Sequence, residues 1–280
     1  MEILILLTTL LALLSYSSCS DTNQILGAEC SADIKANLTN DYQINFKNLM
    51  DSLATNAPSN NGFYKAESGK NSDKIYGLTQ CRADLSSANC AACIKNATLN
   101  RGCYTDSKSV TKWYRWCFLR YSNQRFFGVW DRSAMAIAND TNLEDPNVVS
   151  KTLNFMNDLV STAPDQPLMF QTKVLDVGKY EKRYALAQCT RDISRQDCGK
   201  CFDDQLVIFR SRIGNKKEWE AHGHGCSMWY GDSQFYFNYT FPKDLPTNKG
   251  ENTGGGTVNS SPERFSIGMI VPVLMFLLVL

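Results

Sequence analysis

The cysteines of this chain have a spacing that suits disulfide exchange or metal binding. Cys90 with Cys93 and Cys198 with Cys201 form two Cys-x-x-Cys pairs. Such pairs exchange disulfides with a substrate in thiol oxidoreductases, or supply thiolates to a zinc ion. In an exported protein, where the surroundings are oxidising, the same cysteines form structural disulfides instead. The interpretation therefore depends on export and on how the other cysteines are distributed.

A repeat contains both pairs. The segment YGLTQCRADLSSANCAACIKNA at 76–97 matches YALAQCTRDISRQDCGKCFDDQ at 184–205 without a gap. The two copies share Tyr, Leu, Gln, Asp, Ser and three Cys at identical positions, and downstream Cys117 matches Cys226. A match of this length predicts two tandem domains of about 105 residues each.

Both histidines of the chain, His222 and His224, lie in the second copy. Alternating histidines can chelate a metal, although the glycines beside them equally indicate a loop. Because the first copy has no histidine, a histidine-based mechanism cannot belong to the repeat. No carboxylate pair or nucleophile motif stands out either. We predict no catalytic residue, no metal and no cofactor.

The N-terminus has the pattern of a signal peptide. Its apolar run from Ile3 to Leu14 spans about 18 Å as a helix, too short for a hydrocarbon core of about 30 Å. Ser18 and Ser20 are small residues that suit a signal-peptidase site, so we predict cleavage after residue 20.

The C-terminus has the pattern of a glycosylphosphatidylinositol (GPI) signal. The apolar run 267–280 would reach about 21 Å as a helix, and it follows the polar spacer 257–266. Gly254, Gly255 and Gly256 are the candidate attachment residues. We expect a lipid to hold the protein at the outer face of the plasma membrane; a short tail anchor is the alternative.

Sequons and charge fit an exported protein. Five Asn-x-Ser/Thr sequons are candidate glycosylation sites: Asn37, Asn96, Asn139, Asn238 and Asn259. The formal net charge is +1, with acids and bases mixed throughout the chain. That balance predicts no nucleic-acid partner.

Cysteine numbers predict disulfides within each domain. Signal cleavage would remove Cys19 and leave ten cysteines, six in the first domain and four in the second. Cys30 and Cys103 are the two without counterparts. Near-equivalent positions of the second domain hold Ala136 and Ser211. We infer that the two cysteines form a disulfide, and that the second domain, which lacks it, is the less stable one.

The other cysteines of the first domain must pair between elements. Ser86 has the character of a helix N-cap, which puts Cys90 and Cys93 three residues apart on one helical face. A regular helix holds them too far apart for a direct bridge. One should pair with Cys81 and the other with Cys117, in an order that the spacing leaves open.

Hydrophobic periodicity predicts the elements that position these cysteines. Long helices are expected at 41–57 and 149–163, and short helices begin near Ser86 and Ser194. Each domain then ends in an aromatic-rich pair of strands. In the first domain we place this pair within 111–130 and its connection around Ser122–Gln124.

The aromatic residues of these strands allow two interpretations. They are Trp113, Tyr114, Trp116, Phe126, Phe127, Trp130, Trp219, Trp229, Tyr230, Phe235, Tyr236 and Phe237. Exposed rings could bind sugars or a protein partner. Alternatively, one face of each sheet packs on the helices and the other forms the contact between the domains, and we favour this second interpretation.

The spacing C-x8-C-x2-C after YGL or YAL, with a further cysteine and aromatic residues about 24 residues later, resembles the ginkbilobin-homologous domain, the cysteine-rich secretory repeat of plants. The resemblance extends from about Glu29 to Phe241. That family includes antifungal seed proteins, ectodomains of cysteine-rich receptor-like kinases and plasmodesmata-located membrane proteins. The resemblance implies an α+β fold in which each small domain has an antiparallel sheet packed against two helices. It also implies the disulfides Cys30–Cys103, Cys81–Cys90, Cys93–Cys117, Cys189–Cys198 and Cys201–Cys226.

One branch of the family binds mannose, through an Asn after the first cysteine, an Arg six residues before the last and a Glu five residues after it. The first domain has Ser31, Thr111 and Ser122 at these positions. The second has Glu220 and Gly231 at the latter two. The resemblance therefore does not extend to the mannose site.

The predicted organisation has five segments: a signal peptide 1–20, domains 21–133 and 134–243, a flexible stalk 244–266 and a removable apolar tail 267–280. We predict an extracellular binding or adaptor protein and not an enzyme. Its partners would be receptor-kinase ectodomains or cell-wall components, in defence or in cell–cell communication, with plasmodesmata as a further location. The alternatives are a lectin-like antifungal protein that binds a glycan and a thiol oxidoreductase.

Overall fold

The computed structural model describes residues 23–31, 38–99 and 107–238, together with the backbone of residues 255–257. The elements of the first domain are β1 (Ile25–Cys30), α1 (Asn40–Asn56), β2 (Phe63–Ser68), β3 (Ile75–Cys81), α2 (Ser87–Leu99), β4 (Ser109–Tyr114) and β5 (Cys117–Ser122). Those of the second are β6 (Ala134–Ala138), α3 (Pro146–Thr162), β7 (Phe170–Asp176), β8 (Lys182–Cys189), α4 (Arg195–Ile208), β9 (Trp219–Gly223) and β10 (Cys226–Gly231).

The two sheets have the same topology. Their strand orders are β1-β4-β5-β3-β2 and β6-β9-β10-β8-β7, and each neighbouring pair is antiparallel. A further strand, β11 (Gly255–Thr257), pairs in parallel with β2 and contains two of the candidate GPI attachment residues. The predicted α+β class, with an antiparallel sheet and two helices in each of two domains, is confirmed.

The helices begin where capping side chains predict. The hydroxyls of Ser86 and Ser194 each accept the backbone N–H of the third residue along, so both serines are N-caps. The helix α3 begins three residues earlier than periodicity predicts. The reason is that Asp145 caps it and Pro146 occupies its first position, where a missing N–H costs nothing.

Each core lies between the helices and one face of the sheet. In α1 the buried residues are Tyr42, Leu49, Met50 and Leu53, which form one stripe along the helix. Four disulfides join strands to helices within these cores: Cys81–Cys90, Cys93–Cys117, Cys189–Cys198 and Cys201–Cys226. These are four of the five pairings that the resemblance implies.

Several sequence predictions concern residues outside the described part. Cys30 is disulfide-bonded at the end of β1, but Cys103 lies outside, so their pairing stays a prediction. The signal segment, Asn37, Asn259, Gly254, most of the stalk and the apolar tail also lie outside. Within the described residues, none of the helices combines the length and apolar character that crossing a bilayer requires.

The predicted strand connection at Ser122–Gln124 is wrong. Ser122 is the last residue of β5, and Asn123 and Gln124 follow it. Arg115 and Trp116 join β4 to β5. This turn has no glycine or asparagine, and its backbone groups are paired with other segments. The Arg115 N–H donates to the carbonyl of Gln24, and the Trp116 carbonyl accepts the N–H of Arg82. Distant partners therefore stabilise a turn that local chemistry does not predict.

The structural counterpart of Cys30 also differs from the expected one. Cys30 lies opposite Val110 in the β1–β4 ladder. In the second domain Ala138 occupies that place, opposite Trp219, whereas the predicted Ala136 lies two residues earlier. Both residues are alanine, so the second domain still lacks this cysteine.

Candidate functional site at the contact between the two domains

The two domains are joined by reciprocal hydrogen bonds from two equivalent glutamines, Gln80 of β3 and Gln188 of β8. Gln80 Nε2 donates to the carbonyl of Cys189 at 2.8 Å, and its Oε1 accepts the N–H two residues further on at 2.9 Å. Gln188 repeats this in the opposite direction, donating to the carbonyl of Cys81 at 3.1 Å and accepting the N–H two residues beyond it at 3.2 Å. Each side chain thereby satisfies backbone groups of the other domain.

Two equivalent aspartates bind the segment that follows the last strand of the opposite domain. Asp192 Oδ2 accepts the N–H of Gly128 at 2.9 Å, and Asp84 Oδ2 accepts that of Phe237 at 2.8 Å. Asp84 is fully buried and also forms a two-pronged ion pair with Arg82, at 2.7 and 2.9 Å. Because both charges are buried, losing either partner would leave an uncompensated charge.

The β4–β5 and β9–β10 turns each reach the outer face of the opposite sheet, which is the face away from the helices. Arg115 of the first turn lies 3.5 Å from Glu220 of β9. His224 of the second turn lies 2.8 Å from Glu29 of β1 and 3.2 Å from the hydroxyl of Thr111 in β4. Thr111 and Glu220 occupy equivalent positions, so the contact has approximate two-fold symmetry.

The imidazole of His224 is enclosed by the first domain and the segment between the domains. Its ring stacks on Trp113, with centroids 5.7 Å apart and planes 3° apart. Its Nδ1 lies 2.7 Å from Oδ2 of Asp131. Burial acts to raise the pKa of Asp131, but hydrogen bonds from His224 and Ser133 outweigh it and hold that pKa well below its usual range.

The cavity at this contact is small. It has a volume of about 40 Å³ and is lined by residues of both domains, among them Gln80, Trp113, Gln188, His222 and Trp229. That volume accommodates about three water molecules. The cavity is therefore too small to enclose a sugar ring.

Two positions that correspond to the family's mannose site are covered by the domain contact. Thr111 is 4% exposed and lies beneath His224. Glu220 is paired with Arg115 of the opposite domain. Carbohydrate binding in the family's mannose mode would therefore require the two domains to separate.

The cysteines of both Cys-x-x-Cys pairs form structural disulfides with other elements. Cys90 is bonded to Cys81, and Cys93 is bonded to Cys117, with all four residues buried. The second copy has the same arrangement. A pair whose members are bonded to different cysteines does not form the internal disulfide that thiol–disulfide exchange uses.

The histidines do not form a metal site. His222 Nδ1 lies 3.2 Å from the hydroxyl of Ser227, and Nε2 lies 3.0 Å from Glu220. The two carboxylates around His224 bind opposite nitrogens of its ring, so the three groups do not converge on one point. Throughout the described residues, no group of three His, Cys, Asp or Glu is placed to hold a metal ion.

Most of the aromatic residues pack within a domain or between the domains, as the favoured interpretation predicts. Trp219 lies in the second core, and Trp113 donates from Nε1 to the carbonyl of Gly223 across the contact at 3.1 Å. Phe126 and Phe127 instead cover the outer face of their own sheet. The equivalent Phe235 and Tyr236 do the same in the second domain, while Phe237 is 41% exposed.

Three of the candidate glycosylation residues are described. Asn96 on α2 and Asn238 are exposed. Asn139 is partly buried, and its Nδ2 donates to Glu218 at 3.4 Å, a hydrogen bond that glycosylation would disturb. The exposed positions therefore suit modification better, and all of these sites stay predictions.

Sequence reasoning missed the docking role of Gln80, Gln188, Asp84 and Asp192. A signal was present, since this Gln and this Asp are identical in both copies and the disulfides do not require them. The cluster around His224 had no such signal, because its members differ between the copies.

The family assignment follows from comparison with known proteins. A family model described as salt stress response/antifungal (Stress-antifung) matches residues 29–124 and 139–233. The chain belongs to this family. The suspected relationship to ginkbilobin-like secretory repeats is thereby confirmed, with two matched copies in the order that the cysteine pattern predicts.

Two relatives are matched over most of their own length. The antimicrobial ginkbilobin-2-like protein of Castanea crenata is 32% identical over 206 residues, 72% of this chain and 84% of the relative. Cysteine-rich repeat secretory protein 55 of Arabidopsis thaliana is 31% identical over 247 residues, 83% and 90% of the two chains. The tandem DUF26 ectodomain of the Arabidopsis thaliana cysteine-rich receptor-like protein PDLP8 shares the fold, with a TM-score of 0.66 and 24% identity over 76% of this chain and all of that one.

Proposed function

We propose that this member of the family is a secreted binding or adaptor module whose two domains act as one body. The observation that carries this proposal is the reciprocal set of hydrogen bonds from Gln80, Gln188, Asp84 and Asp192. Because these hydrogen bonds hold the two domains together, their outer surfaces keep a fixed relative orientation, and this lowers the entropic cost of binding a partner. The partners are receptor-kinase ectodomains or cell-wall components, in defence or in cell–cell communication.

Exposed apolar residues on the second domain support a protein partner. Tyr180, at the tip of the β7–β8 hairpin, is 88% exposed, and Val174 on β7 is 49% exposed. Exposed aromatic side chains frequently anchor protein interfaces. The strand β7 is also an edge of its sheet. This end of the second domain is therefore the surface at which we place the contact with an ectodomain.

The proposal includes export and a lipid anchor. The predicted signal peptide 1–20 and the candidate attachment residues Gly254, Gly255 and Gly256 support it, as does the secretory name of one relative. Phosphatidylinositol-specific phospholipase C should release a tagged copy from expressing cells into the medium. Retention on the treated cells would contradict the GPI anchor and favour a tail anchor.

The other candidate functions have less support. The antimicrobial name of one relative favours a lectin-like role, but the domain contact covers Thr111 and Glu220 of the mannose positions. A glycan array decides this alternative, since binding of mannose-type glycans would favour it. Thiol exchange is disfavoured because the cysteines of both Cys-x-x-Cys pairs are bonded to other elements and buried.

Direct binding tests the adaptor proposal. Purified receptor-kinase ectodomains are measured against the exported, oxidised protein, and we expect at least one to bind. Tyr180→Ala should weaken that binding about tenfold or more, as for an interface anchor. The matched control is Val207→Ala, which truncates an exposed apolar residue of α4. Absence of binding to every ectodomain, or equal effects of the two variants, would contradict a contact at the β7–β8 hairpin.

A further inference from the structure

Five cations lie over an aromatic cluster on the outer face of the first sheet, and three of them form no ion pair among the described residues. The ammonium of Lys65 is 5.7 Å from the centroid of Phe127, and the guanidinium of Arg125 is 5.8 Å from the same ring. Arg191 reaches across from the second domain to within 4.9 Å of the centroid of Phe63. Both rings belong to one apolar cluster. We refer to Lys65, Arg125 and Arg191 as the cationic patch.

Among the described residues, no carboxylate forms an ion pair with Lys65, Arg125 or Arg191; that of Asp192 is bound to the N–H of Gly128, next to Phe127. Other cations beside it are paired, Lys74 with Glu67 at 2.8 Å and Arg120 with Asp131 at 3.5 Å. Arg191 donates to the carbonyl of Asn61 at 2.7 Å, its Nε is buried without a hydrogen-bond partner, and burial lowers its pKa to about 10. Unpaired and partly desolvated positive charge of this kind favours an anionic ligand.

The second domain shows that the aromatic scaffold does not need these charges. In the ladder Thr172 takes the place of Lys65, because each lies opposite the shared leucine of its repeat. Gln234 and Ala83 take the places of Arg125 and Arg191. The equivalent cluster around Phe170 includes Ala83 at the place of Arg191. The cations are therefore an addition on the outer face of the first sheet, supplied by both domains, beyond what packing requires.

We infer that the cationic patch binds an acidic polysaccharide, a polymer of uronic acids. Such a polymer presents carboxylates at regular intervals, which suits two cations that lie over the same ring. Its sugar rings also have apolar faces, which can pack against the partly exposed side chains of Phe63 and Tyr76. The inference rests on the proposed extracellular role and gives the chemistry of one wall component.

The test uses an oligogalacturonate as the probe and the oxidised full-length exported protein. Lys65→Gln with Arg125→Gln is expected to weaken binding about tenfold or more at about 50 mM NaCl. The matched control, Lys95→Gln with Lys151→Gln, makes the same change in net charge at two exposed lysines on other surfaces. It should change affinity less than about twofold. Raising the salt to about 300 mM should weaken binding by the unaltered protein.

Other probes separate this inference from its alternatives. Polyglutamate, neutral mannan and phosphatidylserine vesicles should bind more weakly than the oligogalacturonate. Equal effects of the two double variants, no binding of the oligogalacturonate, or tighter binding of polyglutamate or vesicles would overturn the inference. Binding of a receptor-kinase ectodomain through Tyr180 does not depend on the patch, so failure here leaves that result intact. Unchanged melting temperatures of both double variants establish that each is folded.

Discussion

Gln80 and Gln188 each bind the carbonyl of the cysteine that follows the other, at 2.8 and 3.1 Å. The two residues occupy the same position in their repeats. The same side chain therefore forms the contact from each of the two domains. Each amide also accepts a backbone N–H, and its donor and acceptor are therefore both satisfied. This relationship makes the tandem one unit and leads to the first prediction.

Gln80→Ala should lower the free energy of unfolding by about 2 kcal/mol, because it leaves a carbonyl and an N–H of the second domain without partners. Urea denaturation followed by tryptophan fluorescence measures the change. The matched control is Gln43→Ala, at an exposed position of α1, with an expected effect within about 0.5 kcal/mol. Equal losses in the two variants would contradict a role in joining the domains.

Arg82→Met should lower the free energy of unfolding by about 3–5 kcal/mol, because Asp84 would remain charged and buried. Combining it with Asp84→Asn should recover part of this loss, since the uncompensated charge is then removed. Thermal unfolding of both variants measures the difference. A double variant less stable than the single one would show that the charge is not the cause.

Asp131→Asn should make the free energy of unfolding depend less steeply on pH at acidic pH. The pKa of Asp131 is held below its usual value of about 3.9, so its stabilisation is present above that pH and is lost as pH falls towards the folded-state pKa. Because the side chain is 39% exposed, we expect a contribution below about 1 kcal/mol at pH 6. Unfolding measured from about pH 6 to about pH 2 tests this. Identical slopes for the two proteins would exclude the effect.

Lys112 should make the protein more stable as pH rises above neutral. Its ammonium is buried, donates to the carbonyl of Ala97 at 3.0 Å, and has a pKa lowered by burial to about 8. The folded chain therefore loses this proton before the unfolded chain does, and stability rises by about 2–3 kcal/mol between pH 8 and the unfolded pKa of about 10.4.

Lys112→Met should abolish that rise, and Lys95→Met, at an exposed position of α2, should retain it. Denaturation at several pH values between about 7 and 10 compares the three proteins. A rise that persists in Lys112→Met would assign the effect to another group.

Local signals predict the parts of the fold that local forces stabilise. Ser86 and Ser194 cap helices in the structure because a serine hydroxyl satisfies an N–H only three residues away. The β4–β5 turn at Arg115 and Trp116 escaped prediction for the opposite reason. Its backbone groups form hydrogen bonds with Gln24 and Arg82, and the residue types within the turn do not indicate either bond.

The candidate site divides in the same way. The Gln and Asp shared by the two repeats could have been identified from the sequence, since a polar residue kept in both copies needs a common role. The environment of His224 could not, because Glu29 and Asp131 are 195 and 93 residues away from it in the chain. Their approach depends on how the domains dock.

The sequence by itself determined the two repeats, the α+β class and the helix starts, because these follow from spacing along the chain and from contacts within a few residues. Only the tertiary structure decided which polar residues join the domains, which aromatic rings are buried and which cations form ion pairs. The physical reason is that these properties depend on neighbours brought together over long separations, such as Gln80 and Cys189, 109 residues apart.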